Sequence, residues 1–198
     1  MNRIHPSIIL LVLAPIGCAT DPASTAPRDG GTRPSDDPNR ARCVTLFETG
    51  FGVDAGGKPV SFREDLIPLF GERCTFGGCH DGRETTGQLR LGDPCVYDAA
   101  HGVCTLGPDS TSLEVATIVH GNLLSPSNAA PNLKRAEPYR LDESFMLYKL
   151  SGCQNAFPER TGCTKCGDPM PPIEPLRTSE PDVFVLIARW IAQGAQLD

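Results

Sequence analysis

The sequence is poor in aromatic residues, in basic charge and in long apolar runs. Aromatic residues make up 6% of the 198 positions, so the hydrophobic core is modest for a chain of this length. The net charge of −6 leaves no basic surplus to neutralise phosphates, and we therefore expect no nucleic-acid partner. The apolar run at 8–14 is too short to cross a bilayer as a helix.

Glycine, proline and cysteine are abundant instead. The chain has 20 glycines and 19 prolines, which predicts many loops. Its nine cysteines indicate an oxidising compartment, because thiols in the cytosol are kept reduced. We therefore expect an exported protein whose core is completed by disulfides or by a large cofactor.

The N-terminal residues have the pattern of an export signal. Arg3 precedes the apolar run, which is followed by Gly17 and Cys18. A glycine directly before a cysteine is typical of the end of a bacterial lipoprotein signal, so residues 1–18 are predicted to be a signal peptide. Cys18 would then carry a lipid that anchors the protein to a membrane. The alternative is an ordinary signal peptide that is cleaved nearby.

The next segment, residues 19–42, contains almost no apolar side chains. Such a segment cannot bury a core, so we predict a disordered tether. The folded domain is predicted to span residues 43–198.

The motif with the most chemical content consists of Cys74, Cys79 and His80. Two cysteines, the second followed directly by histidine, attach haem covalently: the thiols bond to the two vinyl groups, and the imidazole lies under the iron. Four residues separate the cysteines here, instead of the usual two. Gly77 and Gly78 allow the tight turns that this longer loop requires. Without haem, the two cysteines would form an ordinary disulfide.

A second cysteine pair, Cys95 and Cys104, brackets a loop that contains His101. The spacing suits a small disulfide, which would stabilise the fold by roughly 2–3 kcal/mol. A zinc site is the alternative, but it has too few ligands nearby in the sequence.

The remaining cysteines lack a haem motif. The C-x-x-C pair at 163–166 is followed by glycine and not by histidine, so no second haem is expected. No thioredoxin-like βαβ context surrounds this pair either. Two structural disulfides are predicted, with the pairing left open, among Cys43, Cys153, Cys163 and Cys166.

A helix over residues 60–70 is predicted to deliver the chain into Cys74. Ser61 is its expected N-cap, with Glu64 three residues later as in a capping box. Pro68 should kink this helix or divide it into two.

Four other segments have readable patterns. The run 43–47 is predicted to be a strand or a segment packed across the domain. A helix over 113–119 should stop at His120 and Gly121, and a helix over 142–150 should end at Gly152. The C-terminal helix should begin at a Ser179 cap and end at Gly194, with an apolar face formed by Val183, Leu186, Ile187, Trp190 and Ile191.

Met170 lies between Pro169 and Pro171, and a methionine on such a stiff loop suits a thioether ligand. The order of these elements resembles that of class I cytochromes c. A helix leads into the haem motif, a methionine loop comes later, and an amphipathic helix ends the chain. Over residues 58–198 the chain resembles the exported bacterial haem-binding domains of that superfamily. The shared stretches are Gly-x-Leu-x-Leu at 87–91, Ser-x-x-Leu-x-Lys-Leu at 144–150, Met-Pro-Pro at 170–172 and Trp-Ile-x-x-Gly-Ala at 190–195.

The resemblance implies a mainly α fold, a loop-rich and disulfide-stapled bundle of short helices around one covalent haem c. Cys74 and Cys79 would be the thioether attachments, and His80 and Met170 the two axial ligands of the iron. The rival distal ligands are His101, His120 and Met146.

The expected function is that of a monohaem c-type cytochrome which carries single electrons in the cell envelope. Its partner would be a redox protein in the periplasm or at the cell surface, and no catalytic activity is expected because both axial positions are filled. The alternative from another class is a disulfide-stapled lipoprotein with a binding or structural role and no haem. A third hypothesis is a haem enzyme or sensor in which Met170 is displaced.

Overall fold

A computed structural model describes residues 38–75, 80, 89–92, 96–98, 103–105, 111–163 and 165–198. These residues are mainly helical and include one small two-stranded sheet, which confirms the predicted α class. Several predictions lie outside the described residues: the signal peptide with Cys18, the tether up to residue 37, Cys79, Cys95 and His101. The same holds for the side chain of Cys104.

The helices are short and are separated by long connections. The α-helices are α1 (Pro38–Glu48), α2 (Ile67–Arg73), α3 (Leu113–Leu124), α4 (Phe145–Ser151), α5 (Pro158–Thr161), α6 (Leu176–Ser179) and α7 (Pro181–Ala192). A π-helix (Phe62–Leu66) directly precedes α2, and 3-10 turns occupy Gly50–Gly52 and Leu141–Glu143. Strands β1 (Val96–Asp98) and β2 (Val103–Thr105) form an antiparallel pair with Tyr97 opposite Cys104. This hairpin was not predicted.

The helical segment before Cys74 begins as the sequence predicts. The Ser61 hydroxyl accepts a hydrogen bond from the Glu64 N–H at 3.0 Å, so Ser61 is the N-cap. The Ser61 N–H donates in turn to the Asp65 carboxylate at 2.9 Å. Asp65 therefore takes the reciprocal place in the capping box that the sequence assigned to Glu64, because the first turn is a π-turn with one additional residue.

Pro68 divides this segment as predicted. The π-helix ends at Leu66 and α2 begins at Ile67, which places Pro68 in the first turn of α2. A proline is tolerated there because the N–H groups of a first turn have no partner within the helix.

The run 43–47 is helical, so the strand alternative is wrong, whereas the alternative of a segment packed across the domain is confirmed. It belongs to α1, where Cys43 and Leu46 are buried and Phe47 is half-buried. Their spacing of three and four residues forms one helical face, but a run of five residues is too short to reveal it. Because α1 begins at Pro38, residues 38–42 are part of the folded chain and not of the tether.

Helix α3 runs beyond its predicted stop at Gly121 and ends at Leu124. Val119 and Leu123 are fully buried on the same face, and that burial outweighs the roughly 1 kcal/mol that a glycine costs within a helix. At the next helix, α4, the predicted end is confirmed: Gly152 follows its last residue in the left-handed conformation with φ 72°. The predicted start at Asp142 is wrong, because α4 begins at Phe145 and Leu141–Glu143 form a separate 3-10 turn.

Helix α7 is amphipathic as predicted, but Ser179 is not its N-cap. Ser179 is the last residue of α6, and α7 begins with Pro181 after Glu180. Its buried face consists of Phe184, Ile187, Ala188, Trp190 and Ile191, while Val183 and Leu186 are only half-buried.

The core joins the two ends of the folded chain. The indole of Trp190 stacks on the ring of Phe62 with centroids 5.0 Å apart, so α7 packs directly on the segment that leads to Cys74. A second aromatic group surrounds Phe47, whose ring centroid lies 4.3 Å from that of Tyr148 and 5.4 Å from that of Phe157. This group connects α1 to α4 and α5.

The expectation of disulfides is confirmed by two cysteine pairs. Cys43 of α1 is bonded to Cys153, with Cα atoms 5.8 Å apart. Cys163 is bonded to Cys166, with Cα atoms 5.7 Å apart. The first bond connects residues 110 positions apart, and the second connects residues 3 positions apart.

Among the described residues, no helix is both long enough and apolar enough to cross a membrane.

Asp198 caps the π-helix from the other end of the folded chain. Its Oδ1 accepts hydrogen bonds from the N–H groups of Phe62 at 2.7 Å and Arg63 at 3.3 Å. Burial raises the pKa of Asp198, but the hydrogen bonds from Ser61, Arg63 and Phe62 together hold it below its ordinary value. The charged carboxylate is therefore the form that the fold favours.

We expect Asp198→Ala to lower the free energy of unfolding at pH 7 by about 1 kcal/mol, as for the loss of a helix cap. Because the pKa of Asp198 is lowered by folding, its contribution is complete above the unfolded value of about 3.9 and is lost as the pH falls through the folded value. Urea unfolding at pH 7 and at pH 3 measures the difference between variant and wild type. The matched control is Glu174→Ala, at an exposed glutamate; an equal, pH-independent loss in both variants would contradict the capping role.

Candidate haem-attachment site

Helix α2 fixes the position of Cys74 at its C-terminal end. The N–H groups of Cys74 and Thr75 both donate to the carbonyl oxygen of Phe70, at 2.8 and 3.2 Å. The buried Thr75 hydroxyl donates to the Gly71 carbonyl at 2.6 Å. These bonds fix the backbone as it leaves α2, so the cysteine is presented from a rigid element.

Cys74 is the one cysteine in the described part of the chain with a free thiol. Its side chain packs against the core. Burial raises the pKa of the Cys74 thiol to about 12, with a smaller lowering by Arg73 and a smaller raising by Glu180. The group is therefore a neutral thiol at pH 7 and not the thiolate that a catalytic cysteine requires.

His80 is held against the segment 89–92. Its carbonyl oxygen accepts a hydrogen bond from the Leu91 N–H at 2.9 Å. The Asn122 side chain of α3 donates to the Arg90 carbonyl at 3.3 Å, and a Cβ atom at Gly92 would lie 3.7 Å from Cγ2 of Thr75. The same short segment thus contacts His80, α3 and the residue that follows Cys74.

The imidazole of His80 is neutral at pH 7. Burial lowers its pKa below the ordinary value, the backbone of Leu89 partly offsets this, and the positive charges of Lys149 and Arg135 lower the pKa further. Its Nδ1 atom is buried and has no hydrogen-bond partner among the described residues. A neutral ring with a buried unpaired nitrogen is the form that binds a metal ion.

Lys149 of α4 is bonded to the methionine loop. The Met170 N–H donates to the Lys149 carbonyl at 2.9 Å, and the Lys149 ammonium donates to the Cys166 carbonyl at 2.9 Å. Burial lowers the pKa of Lys149 to about 8, against an opposing effect of Asp168. The backbone of Met170 is therefore bonded to the same lysine whose charge lowers the pKa of His80.

Met170 lies half-buried against the core on a loop that is attached on both sides. Its carbonyl oxygen accepts a hydrogen bond from the N–H of Leu176, the first residue of α6, at 3.0 Å. Upstream, the Cys166 N–H donates to Asn155 Oδ1 at 2.9 Å and Gln154 Nε2 donates to the Gly167 carbonyl at 3.1 Å. The thioether therefore extends from a backbone with little freedom.

Two of the rival distal ligands have structural roles. His120 is within α3, and its Nε2 atom is 2.7 Å from the Ala195 carbonyl. Its ring also lies edge-on to Phe62, with centroids 5.3 Å apart, so it joins α3 to the segment after α7. Met146 is buried in α4. The third rival, His101, lies outside the described residues.

Sequence reasoning did not identify Lys149 and Arg135 as neighbours of His80. Lys149 lies within the Ser-x-x-Leu-x-Lys-Leu stretch that carried part of the resemblance, but nothing in the stretch indicates which residue the lysine faces. Arg135 belongs to the proline-rich connection before α4, and burial lowers its pKa. Both residues are more than 50 positions from His80 in sequence, and only folding brings them near it.

The described residues include the types of donor that a covalent haem would use. In the described part of the chain, no cluster of three or more histidine, cysteine, aspartate or glutamate side chains is arranged to hold a metal ion. A neutral imidazole, a thioether and a free thiol are present instead, and this set matches covalent haem with histidine and methionine as axial ligands. Comparison with protein-family models, curated proteins and solved structures found no match.

Proposed function

We propose that the chain is an exported c-type cytochrome which binds one haem covalently and carries single electrons. Cys74 and Cys79 would form the two thioether bonds, and His80 and Met170 would be the axial ligands. The observation that carries this proposal is the half-buried, neutral imidazole of His80, with its buried and unpaired Nδ1 atom, one residue after a cysteine of the haem motif. Haem supplies reversible one-electron chemistry when it is bound.

The chain's own residues would keep the two ligands in their binding forms. Burial, and to a smaller extent the cations Lys149 and Arg135, lower the pKa of His80, so a ring nitrogen offers a lone pair at neutral pH. The bonds of Met170 to the backbone of Lys149 and Leu176 limit the freedom of the thioether. Because His80 and Met170 would both hold the haem iron, the chain's own residues favour electron transfer over catalysis on a substrate.

The free thiol of Cys74 supports this proposal over the alternative without haem. That alternative needs Cys74 and Cys79 to form a disulfide, whereas Cys74 has no disulfide bond. The Cys74 side chain is half-buried and its thiol has a pKa of about 12. Such a thiol oxidises slowly, because thiolates react far faster than thiols.

The proposal also includes the location of the protein. A lipid on Cys18 would anchor it to a membrane in the periplasm or at the cell surface, with the segment 19–37 as the tether. Its partner would be another redox protein that approaches the haem edge.

Covalently retained haem is the decisive test. The full chain is expressed in a bacterial host that attaches c-type haem, then denatured, and the haem that stays on the polypeptide is measured by its pyridine haemochrome spectrum. We expect one haem per chain, and none after the double change Cys74→Ala and Cys79→Ala. The matched control, Cys163→Ala with Cys166→Ala, should retain the haem. A wild-type chain without covalent haem would refute the proposal.

The same haem-loaded protein tests whether Met170 is the distal ligand of the iron. Met170→Leu conserves side-chain volume and should abolish the sulfur-to-iron charge-transfer band while the haem stays attached. Met146→Leu, at the buried methionine of α4, is the matched control and should leave the band unchanged. If the band persists in Met170→Leu, another residue is the distal ligand.

A further inference from the structure

The Cys163–Cys166 disulfide differs in its surroundings from the Cys43–Cys153 disulfide. Cys43 and Cys153 are both fully buried, with 0% exposure, and their bond connects distant parts of the chain. Cys163, by contrast, is half-buried and therefore reachable from solvent, while Cys166 is buried. Their bond closes a loop between positions only 3 apart, so it constrains the unfolded chain much less.

Hydrogen-bond acceptors for both thiols of a reduced pair are already in place. The Oγ1 atom of the buried Thr161 lies 3.3 Å from Sγ of Cys163 and 3.7 Å from Sγ of Cys166. The Cys163 carbonyl oxygen is 3.6 Å from Sγ of Cys166. A disulfide has no hydrogen to donate, whereas two thiols have two. Reduction would therefore not leave a buried donor without a partner.

The loop that contains this pair is held by bonds that do not involve sulfur. As described above, the Cys166 backbone is bonded to Asn155 and to Lys149, and the Gly167 carbonyl is bonded to Gln154. None of these bonds uses a sulfur atom, so none of them requires the disulfide. Breaking the disulfide therefore leaves the loop attached to α4 and to the segment after it.

We propose that Cys163 and Cys166 form a reversible two-electron redox centre which exchanges with a dithiol reductant. A thiolate of the reductant attacks Sγ of the accessible Cys163, and the bond to Cys166 breaks, so that Cys166 leaves as a thiolate and takes up a proton. The second thiol of the reductant then attacks the mixed disulfide and releases Cys163, which is also protonated. The pair gains two electrons and two protons, and the reductant becomes a disulfide. This centre is independent of the proposed haem.

Graded reduction of the native full-length chain tests the proposal. The folded protein is equilibrated with dithiothreitol over a range of concentrations, alkylated with N-ethylmaleimide, and analysed by peptide mass spectrometry. We expect half-reduction of Cys163–Cys166 at a dithiothreitol concentration at least tenfold below that of Cys43–Cys153, with unchanged far-UV circular dichroism. Reduction of both disulfides together, or of Cys163–Cys166 only as the helical signal is lost, would overturn the proposal.

Thr161 variants test the part assigned to its hydroxyl group. Thr161→Val removes the acceptor while conserving the shape of the side chain, and should lower the equilibrium constant for reduction about fivefold, the effect of losing one hydrogen bond to a thiol. Thr161→Ser keeps the hydroxyl and should restore the wild-type equilibrium. The same constant in Thr161→Val and wild type would contradict this role, and it would do so whether or not the chain binds haem.

Discussion

Replacing both Cys43 and Cys153 by alanine should lower the free energy of unfolding by about 4–5 kcal/mol. This bond joins residues 110 positions apart, and a cross-link that closes a loop of roughly 100 residues removes about 4.7 kcal/mol of chain entropy from the unfolded state. Both cysteines have 0% exposure, so the alanines also leave small unfilled spaces in the core.

Urea unfolding without reductant, followed by circular dichroism, measures this loss. The matched control is the double alanine change at Cys163 and Cys166, whose bond spans 3 positions and should contribute only about 2 kcal/mol by the same relation. Similar losses in the two double variants would contradict the role assigned to the long-range bond.

The Cys43–Cys153 disulfide also matters for the position of the proposed ligand loop. It ties α1 to the chain just after α4, and a side-chain nitrogen of Arg42 lies 3.4 Å from the Ser151 carbonyl in the same contact. Helix α4 carries Lys149, to which the Met170 backbone is bonded. We therefore expect loss of this disulfide to loosen the Met170 side of the site more than the Cys74 side.

The second large effect should come from Trp190→Ala, with a loss of about 3–5 kcal/mol. Trp190 is 1% exposed and stacks on Phe62. Its indole N–H donates to the Gln196 carbonyl at 3.0 Å, so truncation removes a large buried surface and also leaves a carbonyl oxygen without its donor. Thermal or urea unfolding of the variant measures the effect.

Two control variants separate the contributions at Trp190. Trp190→Phe keeps an aromatic ring against Phe62 and loses the N–H group, so it should cost less than Trp190→Ala. Ile173→Ala, at a side chain with 90% exposure, should change stability by no more than about 0.5 kcal/mol. A loss below 1 kcal/mol for Trp190→Ala would show that α7 does not support the helix before Cys74 in the way its packing indicates.

Local signals in the sequence were sufficient for several helix boundaries. The Ser61 cap, the break at Pro68 and the end of α4 at Gly152 each depend on residues within one turn. A side chain can satisfy a nearby N–H group, and a glycine can adopt a left-handed conformation, in the isolated segment as well as in the fold.

The boundaries that sequence reasoning missed depend on distant contacts. Helix α1 forms where Cys43 bonds to Cys153 and Phe47 packs against Tyr148, and neither partner is visible in the run 43–47. Helix α3 continues through Gly121 because Leu123 is buried by other elements. In both cases, tertiary packing outweighs the local preference of the chain.

At the candidate site, the residue types were readable but their surroundings were not. The order of cysteine, histidine and methionine motifs indicated a haem protein. The neutral state of His80 depends on burial and on Lys149 and Arg135, which lie far from it in the chain. Charge effects on a pKa act through space, so no spacing rule along the sequence predicts them.

From the sequence alone, the chain is rich in cysteine and loops and is expected to be mainly helical. It also contains a motif of the haem-attachment type, a methionine loop and an amphipathic C-terminal helix. Composition and short motifs establish most of these properties, and the mainly helical class is what the resemblance to cytochromes c implied. Only the tertiary structure decided that Cys43 pairs with Cys153, that the Lys149 carbonyl accepts the Met170 N–H, and that the charge of Lys149 acts on His80. Each of these facts concerns distances between residues remote in sequence, and only packing of the core fixes those distances.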